Sequence, residues 1–403
     1  MYYMGIDWAD EKHDICVLDE QGAICREFAI SNDQRGFDIL RKRIGRLPDP
    51  VKINIERSDG LLVDWLVRNG HEVYLTPPVV MHHRRPRRSK NDQGDAYLLA
   101  HLLRIGDAEC RPLARRSHLV SYLRQLLQAY DSMVREQRRF GNRLIYLLKQ
   151  YYPAALRVFC QPYRLIALAF LEQYPTPELA RLATVEDLRQ FLREHKYGGR
   201  KIEEKVFEIY TLLQTPAPTA AMSDGLVLHV QLLIPILRHI YRSRHQLEKK
   251  ILQVFPSHPD TAWWLKIPGA QHLTAARLLA WIGDDRSRFP TATALQATAG
   301  TVPVTRRSGK SKSVEFRTAC SHRLRKAVDD LARQSVKQSG WAQAYYDEQR
   351  ARGHTSARAY RALANRWLSI IWKLWQTGTV YDEQVHLAHR EKKLPNAALR
   401  QAG

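Results

Sequence analysis

Residues 2–30 read YYMGIDWADEKHDICVLDEQGAICREFAI, and the spacing of their apolar positions decides how the chain begins. Tyr3 to Asp7, His13 to Leu18 and Ala23 to Ile30 have the composition of short strands, and Glu20-Gln21-Gly22 supplies a tight turn between the last two. A three-stranded meander is predicted. Outward from it, Gln34 to Leu47 places Phe37, Leu40, Ile44 and Leu47 at helical spacing, and Val51 to Ile55 returns to strand alternation just before Glu56. Leu61 to Arg68 reads as a helix stopped by Asn69-Gly70, and Glu72 to Leu75 as a further strand.

The resulting order, βββαβαβ, is that of an α/β ribonuclease-H-like domain. After Pro77-Pro78 comes a densely basic loop, residues 82–90, carrying Arg84, Arg85, Arg87 and Arg88, followed by a helix from Asp92 to Ile105. A stripe at 3–4 spacing then runs from Leu119 to Leu147, and a second from Leu233 to Val254. They predict long coiled-coil helices that pair antiparallel or dimerise, with a plain helical bundle as the competing arrangement. Residues 161–223 between them read as a helical insertion.

The last third opens with Leu265-Lys266-Ile267-Pro268-Gly269 and a small-residue helix ending at Ile282-Gly283, the form of a helix-hairpin-helix. Gly269 in its turn is a candidate phosphate contact. A Gly-, Ser- and Arg-rich stretch, 300–312, precedes three helices containing His322 to Gln338, Trp341 to Arg352 and Ser356 to Thr377. The expected domains are 1–112, a coiled-coil arm over 113–256, an all-α C-terminal domain over 257–377, and a loose polar tail over 378–403.

Charge is the strongest global signal. Lys and Arg number 63 against 41 Asp and Glu, a formal +22, so a polyanion is the expected partner. The longest apolar runs fall short of a membrane span, and Met1 to Asp7 turns acidic too early for a secretory signal, so a cytoplasmic protein is expected. The five cysteines have neither zinc nor disulfide-framework spacing and are expected reduced and mostly buried.

Four carboxylates stand where chemistry could use them. Asp7 ends the first strand and Glu56 follows the fourth, its neighbour in such a sheet. Asp92 and Asp95, three apart, share one face at the start of a helix. Such a cluster repels itself unless it binds hard cations, which predicts Mg²⁺ or Mn²⁺ at Asp7, Glu56, Asp92 and Asp95, two ions about 4 Å apart, for in-line phosphoryl transfer. Asp10, Asp14 and Asp59 are nearby and rank lower, because Asp10 and Asp14 miss the strand end and Asp59 lies past Glu56 in the turn.

The blocks Tyr3-Met4-Gly5-Ile6-Asp7-Trp8, Asn54-Ile55-Glu56, Lys90-Asn91-Asp92-Gln93-Gly94-Asp95-Ala96, Ile267-Pro268-Gly269 and Arg307-Ser308-Gly309-Lys310 resemble the DEDD insertion-sequence transposases related to the Piv DNA invertase. The likeness covers roughly residues 1–110 and 260–340. It departs from the common pattern at Asn91, where Thr is frequent. The resemblance implies a RuvC-like domain carrying Asp7, Glu56, Asp92 and Asp95, and a C-terminal domain with a nucleophilic serine, which maps to Ser308. It also implies double-stranded donor and target DNA and a structured element-encoded guide RNA. A homo-oligomer, dimer or tetramer, is expected as well, and either the fold or a dimer can bring the serine loop over the acids.

Arg306, Arg307, Lys310 and Lys312 around Ser308 suit phosphate binding; Ser311 and Ser313 are set aside only because they lack the Ser-Gly match. The principal competitor is a hydrolytic junction-resolving nuclease, which shares the acids and needs no serine. An actin-like ATPase would show a second glycine-rich phosphate loop, which is missing, and a non-catalytic scaffold would keep nucleic-acid binding without activity.

Overall fold

The computed structural model describes residues 1–84, 92–113, 116–197, 202–215, 224–308, 311–385 and 387, with the side chains of 306–308 and 311–312 left aside. The chain divides into two compact units, Met1–Arg115 and Arg116–Gly403.

The first unit is built on β1 (Tyr2–Asp7), β2 (Lys12–Leu18), β3 (Ile24–Ser31), β4 (Val51–Ile55), β5 (Glu72–Leu75) and β6 (Arg111–Pro112), in the spatial order β3-β2-β1-β4-β5-β6. β1 pairs antiparallel with β2 and parallel with β4, the second pairing being possible because a helix returns the chain to the same end of the sheet. That helix, α1 (Gln34–Ile44), is started by Asp33, whose carboxylate accepts from the Gly36 amide at 2.7 Å. α2 (Leu61–Arg68) joins β4 to β5.

Side-chain parity then divides the sheet. Met4, Ile6, Ile15, Val17, Ile53 and Ile55 share a core with Phe37 and Leu40 of α1 and with Leu62, Val63 and Leu66 of α2. The alternate residues, Gly5, Asp7, Asp14, Cys16, Leu18 and Asn54, belong to the other face, where Cys16 and Leu18 meet Ala96 and Ala100 of α4 (Asp92–Arg104). The head of the basic segment, expected as a loop, is the helix α3 (Pro78–Arg84): Met81 is buried with Leu99 and Leu102 of α4, and that apolar anchor overrides the polar composition around it.

The second unit is organised by α5 (His118–Tyr151) and α11 (Asp224–Val254). Val120 to Tyr130 at one end of α5 share a core with Ile251 near the end of α11, while Leu144 to Tyr151 share another with Val230 to Leu237, so the two helices run antiparallel. Between them in sequence lie α6 (Ala155–Val158), α7 (Leu165–Gln173), α8 (Pro177–Arg181), α9 (Val185–Glu194) and α10 (Ile202–Gln214), which complete the second of these cores.

The first core is completed by α12 (Thr261–Leu265), α13 (His272–Ile282), α14 (Ala292–Ala299), α15 (His322–Ser335), α16 (Gly340–Ala351) and α17 (Ser356–Thr377). Because this core draws on both arm helices, the expected boundary near residue 256 falls inside one compact unit. The C-terminal region is also not all-α: β7 (Val304–Ser308) and β8 (Ser311–Glu315) form an antiparallel hairpin whose last pair is Ser308 with Ser311.

Two further expectations are corrected. The segment after Gly378 is pinned at its start: Trp263 Nε1 donates to the Thr379 carbonyl and Trp341 Nε1 to the Tyr381 hydroxyl, both at 2.7 Å, and Glu383 accepts from Ser339 and Gly340. Of the five cysteines only Cys16 is buried; Cys25 and Cys160 are exposed, and all are free thiols. Among the described residues no helix is long and apolar enough to cross a membrane.

Candidate active site

β1 brings Asp7 to the α4 face of the sheet, and the pairing of Ile6 with Ile55 sets the residue after each, Asp7 and Glu56, side by side at the same sheet end. α4 reaches that end because Gly5 lacks a side chain: a Cβ there would lie 2.0 Å from the Ala96 carbonyl oxygen and 2.5 Å from the Ala100 amide nitrogen. Asn54 ties the helix down from β4, its buried Nδ2 donating to the Leu99 carbonyl at 2.8 Å and to Thr76 Oγ1 at 2.9 Å. The first turn of α4 therefore delivers Asp95, which is buried, and Asp92, which is exposed. Both sit at the helix N-terminus, where the backbone dipole favours negative charge.

The electrostatic consequence is visible at Asp7. Burial, then the neighbouring charges of Asp95, Glu56, Asp92 and Asp14, push its carboxyl up to about 7 from the ordinary 3.8. The charges of the other three acids picked out in the sequence thus reach Asp7, and Asp14 adds a fourth. Asp14 is the direct cross-strand partner of Asp7 on β2, and its partner Lys12 lies 3.1 Å away. Position along the chain ranks Asp14 lower because it misses a strand end, whereas antiparallel register sets the start of β2 opposite the end of β1. Beside the acids, the Arg57 guanidinium stands 4.0 Å from the Trp8 ring centroid, linking the residues that follow Glu56 and Asp7.

Among the described residues, no three His, Cys, Asp or Glu side chains already converge as a finished metal nest. The donor set nonetheless suits a hard divalent cation, because every donor is a carboxylate oxygen, and burial together with the neighbouring acids raises the Asp7 carboxyl.

The expected nucleic-acid contacts fare unevenly. Arg84 ends α3 and donates to Asp107 at 3.0 Å, so its charge is partly committed inside the first unit. Arg85, Arg87, Arg88 and Lys310 lie outside the described residues, as do the side chains of Arg306, Arg307, Ser308 and Lys312. The backbone of Ser308 ends β7, paired with Ser311 of β8.

Gly269 is a correction: it is buried, and its amide donates to Gln338 Oε1 at 2.8 Å. With φ at +86° and α15 backbone within 2.5 Å of where a Cβ would be, this glycine serves close packing of the turn and offers no amide to a phosphate.

A family model described as a transposase, of the DEDD type of IS110, matches residues 4–153, and one described as the transposase IS116/IS110/IS902 family matches residues 264–347. The chain is similar to the mini-circle putative transposase for IS117 of Streptomyces coelicolor, 33% identical over 95% of both chains. An uncharacterized 43.6 kDa protein of the insertion element IS110 from the same organism is 28% identical over 87% of this chain and 86% of its own. A 42 kDa uncharacterized protein of the insertion element IS900 from Mycobacterium paratuberculosis is 24% identical over 94% and 96%.

Proposed function

We propose that this DNA transposase, a chain that belongs to the IS116/IS110/IS902 transposase family, carries its catalysis in its first unit, a ribonuclease-H-like, RuvC-like domain. The observation that carries this reading is the strand pairing that sets Asp7 beside Asp14 and Glu56 at one sheet end; burial and the charges of Asp95, Glu56, Asp92 and Asp14 raise its carboxyl there. Asp7, Glu56, Asp92 and Asp95 would hold Mg²⁺ or Mn²⁺, which supplies charge stabilisation at the attacking and leaving oxygens of a phosphodiester. Gly5 and Asn54 act as positioning residues, fixing the height of α4 over the sheet and so the reach of Asp92 and Asp95.

Ser308 is the proposed nucleophile, a reading that follows from the resemblance; its backbone ends β7, paired with Ser311 of β8. Its Oγ attacks a DNA phosphorus; an Oγ–P bond forms, the bond to the leaving strand's oxygen breaks, that oxygen gains a proton, and the serine's proton passes to water. The partners proposed are double-stranded donor and target DNA and, following from the resemblance, a structured guide RNA, polyanions that the formal charge of +22 suits; a dimeric or tetrameric assembly is proposed with them.

The test is strand transfer on a labelled element end, with and without EDTA, for the parent protein and for Ser308→Ala and Asp7→Asn. Loss of transfer in EDTA and in both variants, with a nucleotide-bearing peptide at Ser308 in the trapped parent reaction, is the expected result. Undiminished activity in EDTA overturns the metal cluster, and undiminished transfer by Ser308→Ala makes water the nucleophile.

A further inference from the structure

The arm of the second unit has a polar waist. Its two apolar cores occupy opposite ends of the α5–α11 pair, and between them Gln137 is buried and accepts from Arg244 Nη1 at 3.0 Å. Beside this bridge opens a cleft of about 680 Å³, walled by α5, α11 and the segment that enters α7. That volume lies inside the range of about 300–1,000 Å³ typical of ligand pockets.

Three guanidiniums line the cleft, Arg138, Arg164 and Arg244, and its lining residues include no carboxylate. Arg138 and Arg164 are exposed, and the Nε of Arg244 is buried with no hydrogen-bond partner among the described residues. Two aromatic rings, Tyr163 and Tyr241, complete the walls. Tyr163 has its place because of Gly141: a Cβ on that helical glycine would stand 2.9 Å from the tyrosine ring. Glycine is a poor helix former, so its place inside this long helix is accounted for by the ring it leaves room for.

We propose that this waist cleft binds an unpaired nucleotide of a nucleic-acid strand, its phosphate held by Arg138, Arg164 and Arg244 and its base stacked on Tyr163 or Tyr241. Guanidiniums offer paired donors to phosphate oxygens, and aromatic faces take any base. A concave site of this size admits a flipped or single-stranded nucleotide, whereas a duplex presents its phosphates on a convex surface. The cleft is assigned on its own chemistry and stands whether or not Ser308 is the nucleophile.

The experiment uses the full-length protein and fluorescein-labelled probes: a U10 oligoribonucleotide, a dT10 oligodeoxynucleotide, and a blunt duplex. Anisotropy titrations compare the parent with the double variant Arg138→Gln, Arg164→Gln and with a charge-matched control, Arg135→Gln, Arg143→Gln, on exposed α5 residues that do not line the cleft. The cleft variant is expected to weaken U10 or dT10 binding at least about tenfold and to lower the salt slope by about one unit, against less than about threefold for the control.

Tyr163→Ala should weaken the same probe about five-fold or more through lost stacking, with far-ultraviolet dichroism confirming the fold. Photo-cross-linking with a 5-iodouracil probe should mark a peptide containing Tyr163 or Tyr241. A preference for U10 over dT10, or the reverse, identifies RNA or DNA as the source. Equal losses for cleft and control variants, equal losses on the duplex, or cross-links confined to other segments would overturn the proposal.

Discussion

Replacing Gly5 with alanine would drive a methyl group into the backbone of α4. The new Cβ stands 2.0 Å from the Ala96 carbonyl oxygen, 2.5 Å from the Ala100 amide nitrogen and 2.9 Å from Leu99 Cβ. Two of these are backbone atoms, so no rotamer change relieves them. Restoring ordinary contact near 3.4 Å lifts the helix by about 1.4 Å from β1. Overpacking of this kind costs about 1–3 kcal/mol. Misplacement of catalytic groups by about 1 Å is worth about a hundredfold in rate.

The lift would carry Asp92 and Asp95 away from Asp7, and it would stretch the 2.8 Å bond from Asn54 to the Leu99 carbonyl. Gly5→Ala is therefore expected to lower the melting temperature by several degrees and to cut strand cleavage about a hundredfold while DNA binding persists. Gly225→Ala supplies the control, since an added Cβ there meets nothing within 4 Å, and it should be neutral or mildly stabilising. Differential scanning calorimetry and a single-turnover cleavage assay read both effects. A Gly5→Ala protein that melts with the parent and cleaves at the parental rate would refute the claim that this contact sets the height of α4.

Asp7→Asn should raise stability while removing activity. Because the folded carboxyl sits near 7 against 3.8 in an ordinary environment, the folded state binds the proton more tightly than the unfolded chain. Ionised Asp7 therefore costs stability above about pH 7, and that cost is relieved as pH falls towards 4. Three pKa units correspond to about 4 kcal/mol, and solvent screening at this half-buried site reduces the expected gain to about 1–2 kcal/mol. Metal-free Asp7→Asn should thus melt higher than the parent at pH 8 and lose the parent's rise in stability between pH 7 and 4; a lower melting point at pH 8 would contradict this. Truncation after Gly378 should destabilise the second unit by about 2 kcal/mol or more, since it removes the partners of Trp263, Trp341, Ser339 and Gly340. Urea unfolding of the truncated chain at the parental midpoint would return the segment to a dispensable tail.

Much of the first unit could be read from residue order alone, because strand alternation and helix periodicity are local. Val51–Ile55, Leu61–Arg68 and Glu72–Leu75 fall where the pattern puts them, and the two long stripes became α5 and α11. The residue types at Asp7, Glu56, Asp92 and Asp95 were enough to suggest a carboxylate cluster, since few other arrangements would keep so many acids at element ends. What local pattern could not supply was anything set by contacts between distant segments. The register of β1 against β2 adds Asp14 to the acids, a pairing that spacing along the chain does not reveal. Gln338 takes the Gly269 amide from 69 residues away, so a turn with a phosphate-binding signature becomes a packing turn. Met81 makes a helix of the basic segment's head by burying itself against α4, and Trp263 and Trp341 hold a segment whose composition reads as solvent-exposed. In each case the sequence determined which residue types were available and the tertiary structure decided what they touch, because burial and hydrogen bonding act between side chains brought together by the fold, whatever their separation along the chain.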